Sequence, residues 1–108
     1  MTRGKVWVFS GGARTIVILK GDLDATVTDE LYRAIDKAEA AAAPVQVDAC
    51  GLVSLDSTGI SAVARLAART PAPLTIFGAP DTVRFLLEVT HLHDLVTFVS
   101  DDAVPEPL

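Results

Sequence analysis

The sequence predicts an α/β domain built on a mixed, mostly parallel sheet of about five strands, with helices mainly on one face. Three observations carry that expectation. Strand-like and helix-like segments follow one another in the order ββ-αβ-αβ-αβ, which favours parallel pairs joined by right-handed crossovers. The strand-like segments alternate with a period of two, whereas sheets covered on both faces show continuous apolar runs. A chain of 108 residues, 50% of them apolar, is long enough to close one core without disulfides or metals.

The elements follow in chain order. Val6 to Phe9 and Thr15 to Leu19 are apolar runs separated by Ser10-Gly11-Gly12-Ala13-Arg14, a Gly-rich linker of hairpin length, so the opening pair is expected to be antiparallel. Gly21-Asp22-Leu23-Asp24 reads as a turn. Thr26 and Asp29 have the spacing of a capping box ahead of a helical pattern in Val27, Leu31, Ala34, Ile35 and Ala38. The Ala40 to Ala43 run stops at Pro44, which cannot continue a helix. Val45 to Ala49, Leu74 to Ile76 and Val96 to Phe98 are the remaining strands. Between them lie helical segments from Thr58 to Ala68 and from Asp81 to about Val89, the second with Asp81 as its N-cap. The whole of 1–108 reads as one domain with a core over about 6–99, and the acidic, Pro-containing tail at 100–108 is expected to fray.

Composition narrows the function classes. A net charge of −5 disfavours binding to nucleic acid, which relies on Lys and Arg to neutralise phosphates. No apolar stretch approaches the length of a membrane span, and Val6 to Phe9 is too short for a signal-peptide core, so a cytoplasmic protein without a membrane partner is expected. Cys50 has no second thiol to pair with, and it is expected to be a small buried packing residue or a strand-end residue. His91 and His93 stand two apart without a Cys or carboxylate cluster, which argues against a metal site. No cofactor is expected.

The most informative stretch is Asp56-Ser57-Thr58-Gly59, which puts two hydroxyls between a strand and an Ala-rich helix. Backbone N–H groups at such a start have no intrahelical partner, and the helix dipole adds partial positive charge, so an added phosphate would be accommodated. On cap preferences alone, Ser57 and Thr58 read as plain helix-capping residues. Arg65 and Arg69, four apart on this helix, read as a solvated face, with Ile60, Val63, Ala64 and Ala67 toward the core.

Taken with its flanks, this stretch resembles the signature of STAS domains, particularly the bacterial anti-sigma factor antagonists. The family shows a strand ending in Asp-Leu-Ser, a short loop, and Asp-Ser-Ser/Thr-Gly-Leu/Ile opening a helix; here the matching residues are Asp48-Ala49-Cys50 and Asp56 to Ile60. Gly21 to Asp24 resembles the family's Gly-Glu-Leu-Asp turn, and Phe85 to Leu92 resembles its Leu-Glu-x-x-Gly-Leu segment, with His91 in place of Gly. The likeness runs from about Val6 to Val99 in the same order and spacing.

This resemblance implies a STAS fold and a partner-switching cycle. The unphosphorylated antagonist binds an anti-sigma factor that is also a serine kinase, the sigma factor is released, phosphorylation on Ser57 dissolves the complex, and a serine phosphatase resets it. Thr58 is the fallback acceptor. Asp56 would shape the loop, cap the helix and orient the Ser57 hydroxyl, while Gly59 would let a kinase active site approach closely. Asp22 and Asp24, which the turn reading explains equally well, would belong to the partner surface with Asp56, Ser57, Thr58 and Gly59. The acidic balance and the polar sheet face are compatible with a monomer engaging one kinase at a time.

Two other classes stand beside that one. An enzyme reading lacks the Gly-x-Ser-x-Gly elbow at Ser57 and a Gly-x-x-x-x-Gly-Lys loop for ATP, and the spacing of His91 and Asp94 gives no evidence of a triad, so the chain is expected not to be an enzyme. A non-switching STAS scaffold, or a subunit of an ABC-type lipid transport complex, differs in its partner: an ABC-type ATPase in place of a kinase.

Overall fold

The structure, a computed structural model, describes residues 3–11, 13–71, 73–89 and 95–99. Five strands, β1 (Lys5–Gly11), β2 (Arg14–Leu23), β3 (Val45–Leu55), β4 (Leu74–Phe77) and β5 (Val96–Val99), form one sheet in the order β1-β2-β3-β4-β5. The β1–β2 pair is antiparallel and every other pair is parallel. Helices α1 (Thr28–Ala40), α2 (Ser57–Arg69) and α3 (Asp81–Val89) occupy the three crossovers. Because each crossover steps one strand in the same direction and with the same hand, all three helices are laid on one face.

Period-two alternation decides which side chains that face receives. Val8, Val17, Val47, Ile76 and Phe98 stand opposite one another across all five strands and form one row under the helices. Phe9, Ile16, Gln46, Thr75 and Thr97 form the neighbouring row, which by alternation lies on the other face. The core closes where Leu31, Ile35 and Ala38 of α1 and Ala62, Val63 and Leu66 of α2 meet the first row.

Several local expectations are corrected. Gly21 to Leu23 is the end of β2, not a turn, and β3 continues past Ala49 through Cys50 to Leu55. Irregularities in the β2–β3 register at Ile18/Lys20 and Gly21/Asp22 let both strands run on, with Gly21 taking a positive φ of 73° that a side chain would strain. The helix-start signal at Thr26 and Asp29 is a different device: Asp24 caps a 3₁₀ turn over Ala25–Val27, and Thr26 donates to Asp24 through its backbone N–H at 3.0 Å. The next helix, α1, begins at Thr28 with no side-chain cap. Asp81 lies inside α3, since Arg84 N–H donates to the Pro80 carbonyl and leaves Pro80 at the cap position. Cys50 is exposed rather than buried, with its thiol 3.9 Å from the Phe77 carbonyl.

On α2 the core stripe is Gly59, Ala62, Val63, Leu66 and Ala67, so Ile60 and Ala64 are only partly covered. Arg65 is not on a solvated face either. Its guanidinium donates to Asp36 Oδ1 at 2.6 Å and to Glu39 at 2.9 and 3.1 Å, clamping α2 to α1, and these carboxylates push its already high pKa further up. Arg69 adds a looser contact to Glu39 at 3.7 Å.

Candidate functional site

The site is assembled at the ends of β2 and β3, where the parallel register places Asp22 beside Ser54 and Leu23 beside Leu55. The Ser54 hydroxyl donates to Asp22 Oδ1 at 2.6 Å, and the Asp56 N–H donates to the Leu23 carbonyl at 3.2 Å. One residue later the chain turns into α2. The Asp56 carboxylate accepts from the Gly59 N–H at 3.0 Å while its carbonyl accepts from the Ile60 N–H at 2.9 Å, so Asp56 is the N-cap. That engagement supports the expected capping role and directs the carboxylate to the backbone instead of the Ser57 hydroxyl.

Ser57 is the first residue of α2 and is exposed; Thr58 is half-buried behind it. With Gly59 and Ile60 N–H occupied, the N–H groups of Ser57 and Thr58 are the ones at this helix start with no intrahelical acceptor, which gives the mouth of α2 its anion-accepting character. Gly59 faces inward. A Cβ there would lie against Leu55, 2.7 Å from its Cγ, so the residue is small to let α2 pack on the end of β3, and it leaves no opening for an approaching kinase.

Asp22 and Asp24 do share this end of the sheet with Ser57, as the resemblance implied. The Thr26 hydroxyl and N–H hold the Asp24 carboxyl below its usual range, with a smaller contribution from Arg3. Arg3 is brought here by a bridge to Asp22 and an ion pair with Glu30 at 3.3 Å. Arg3 and Ser54 were not singled out from sequence, because their roles depend on register between distant segments.

The largest omission is an apolar groove of about 330 Å³ beside Ser57, lined by Leu55, Ile60, Leu86 and Val89 with Asp56 and Ser61 at its rim. Phe85, Leu86 and Val89 make an exposed apolar stripe along α3, with Phe85 at 62% and Val89 at 51% exposure. A signal for it exists in the sequence: α3 carries five large apolar residues in nine, more than one core stripe can bury, and only Val83 and Leu87 are buried. His91, His93 and Asp94 lie outside the described residues. Among the described residues no group of three or more His, Cys, Asp or Glu side chains could hold a metal ion, and no helix is long and apolar enough to cross a membrane.

A sheet in sequential order with helices on one face and an exposed serine opening the second helix defines a STAS-type domain. The family model described as "Mlab, STAS domain" matches residues 9–97, and the chain belongs to this STAS family. Among solved structures, an anti-sigma factor antagonist from Mycobacterium paratuberculosis is similar with a TM-score of 0.74 at 17% identity, covering 89% of this chain and 85% of that one. The Bacillus cell fate determinant SpoIIAA in its phosphorylated form is similar with a TM-score of 0.65 at 15% identity, covering 91% and 94%. At these identities the likeness establishes the fold. No curated protein sequence matches the chain significantly.

Proposed function

We propose that this chain is a cytoplasmic anti-sigma factor antagonist that binds an anti-sigma factor serine kinase and is released from it by phosphorylation of Ser57. The observation that carries the reading is an exposed hydroxyl at the first position of α2, on the rim of an open apolar groove. Two relatives of like fold support it, one an anti-sigma factor antagonist and one solved in a phosphorylated form. Thr58, half-buried one residue on, is the less accessible acceptor.

The chemistry is economical. The kinase supplies ATP and catalysis; the Ser57 oxygen takes the γ-phosphoryl group, its proton leaves, and ADP is the other product. The added charge of roughly −1.5 to −2 meets free N–H groups and the positive end of the dipole, so the host fold tolerates it. In a bound complex the same dianion would be desolvated against Leu86 and Val89 and beside Asp56, and dissociation relieves that cost. A loss of ~3 kcal/mol changes affinity more than 100-fold. A serine phosphatase restores the binding form, and the chain itself performs no catalysis.

Incubation with candidate anti-sigma kinases and ATP, followed by mass spectrometry, tests the reading. Phosphate on Ser57 is expected, and phosphate confined to a distant residue would reject the site. Recovery of an ABC-type ATPase as the bound partner, with Ser57 unlabelled, would instead support the lipid-transport subunit.

A further inference from the structure

Among the described residues, β1 is an edge strand with no partner on its outer side. Sheet edges of this kind are ordinarily blunted by proline, charge, a bulge or short length. None of these protects β1: it spans seven residues, pairs with β2 without a register break, contains no proline, and carries its one charge at Lys5, its first residue. Trp7 and Phe9 project from its helix-free side at 40% and 49% exposure, with Lys20 stacked over Trp7 at 5.6 Å. On the helix side, Val6 and Val8 line an open groove of about 250 Å³ with Glu30, Arg33, Ala34 and Lys37 of α1. The other edge, β5, has four residues.

The pattern of this edge is complementary to itself. Turned antiparallel about Val8, a second β1 would bring Trp7 opposite Phe9, Val6 opposite Ser10 and Lys5 opposite Gly11, which makes two aromatic pairs and opposes no like charges. Of the exposed charges of α1 on this groove, Glu30 and Lys37 obey the same symmetry, while Arg33 stands beside the axis. Reversed about the Arg33/Ala34 midpoint, Glu30 of one helix faces Lys37 of the other. Both midpoints lie on one groove, so a single two-fold axis serves strand and helix together.

We infer that β1 is a self-association edge: two copies of this chain pair antiparallel through β1, extend the sheet across the axis and bring their α1 helices alongside. The groove between α2 and α3 stays uncovered in each copy, because those helices cover strands β3 to β5, away from the β1 edge. The inference therefore does not depend on the role of Ser57.

Light scattering on the eluting full chain at about 0.1 mM, a concentration that reveals even a weak interface, is expected to give twice the 11.4 kDa chain mass. A mass of one chain overturns the inference. Phe9→Asp, which sets a carboxylate against the ring of Trp7 of the other copy, should give one-chain mass with an unchanged circular dichroism spectrum; a dimer of unaltered dissociation constant would place the interface elsewhere and overturn it equally. Glu30→Lys should weaken the dimer at least tenfold, and the double variant Glu30→Lys with Lys37→Glu should restore it. Failure of that rescue would exclude the α1 pairing and with it the proposed axis.

Discussion

The backbone N–H of Asp56 donates to the carbonyl of Leu23 at 3.2 Å, fastening the residue that caps α2 to the last residue of β2. Ser57 is thereby held in line with Asp22 and Asp24, although more than thirty residues of chain separate them. A protein that touches the exposed serine meets one rim with an acidic side from β2 and an apolar side from α3.

If that rim works as a switch, charge at Ser57 must alter binding without altering the fold. Ser57→Ala is expected to bind the kinase as tightly as the wild type and to remain unlabelled. Ser57→Asp should bind at least tenfold more weakly, a difference of about 1.4 kcal/mol, with a melting temperature close to that of the wild type. Calorimetric titration showing equal affinity for both variants would remove the switching mechanism even where phosphate is found on Ser57.

The apolar stripe of α3 separates binding from stability. Leu86→Glu changes an exposed residue of the groove and is expected to lower kinase affinity more than tenfold with little effect on thermal unfolding. One position further on, Leu87 is buried, and Leu87→Ala should cost about 2–5 kcal/mol in denaturant unfolding. Unchanged affinity in Leu86→Glu would take the groove out of the partner surface.

Acid should loosen the start of the helical segment after β2. The Asp24 carboxyl is held below its ordinary value of 3.8 by the Thr26 hydroxyl and N–H, so the unfolded chain binds the proton more readily than the folded one. Its contribution is present above the unfolded value and is lost as pH falls through the lower folded value. Asp24→Asn keeps a capping oxygen but cannot titrate; its melting temperature should therefore fall less than that of the wild type between pH 5 and pH 2. Parallel pH profiles would show that Asp24 carries none of the acid sensitivity.

Strain at the end of α1 gives a fourth expectation. Ala42 takes a φ of 51°, the left-handed conformation glycine ordinarily supplies after a helix, while its N–H donates to the Glu39 carbonyl at 3.1 Å. Ala42→Gly should stabilise the fold by roughly 0.5–1 kcal/mol, read as an increase in denaturant midpoint at constant slope. A lower midpoint would mean that the greater freedom of glycine in the unfolded chain outweighs the relieved strain.

Much of the architecture was legible because it rests on local periodicity. Val45-Gln46-Val47 and Leu74-Thr75-Ile76 show their strand character in three residues each, and Leu31, Ala34, Ile35 and Ala38 mark the buried face of α1. Gly21 misled, since glycine followed by aspartate suggests a turn, yet here it permits irregular pairing within a long strand. The cap at Asp24 was hidden by Thr26, an equally good capping type that serves as donor instead.

The candidate serine was legible for a local reason too: Asp56 followed by a small hydroxyl and an Ala-rich segment marks a helix start wherever it occurs. Its surroundings were not. The bond from Ser54 to Asp22 and the clamp from Arg65 to Asp36 and Glu39 join segments whose alignment is set by register and helix packing. Gly59 was misassigned because a missing side chain serves openness and tight packing equally well, and only the position of Leu55 distinguishes them.

The unbroken march of the sheet from first strand to fifth bears on what kind of molecule this architecture can be. Open α/β sheets bind nucleotides in the cleft that forms where successive crossovers reverse direction, and here the winding never turns back. What its strand tips present instead, at Leu55, is a hollow walled by Ile60 of the second helix and by Leu86 and Val89 of the third.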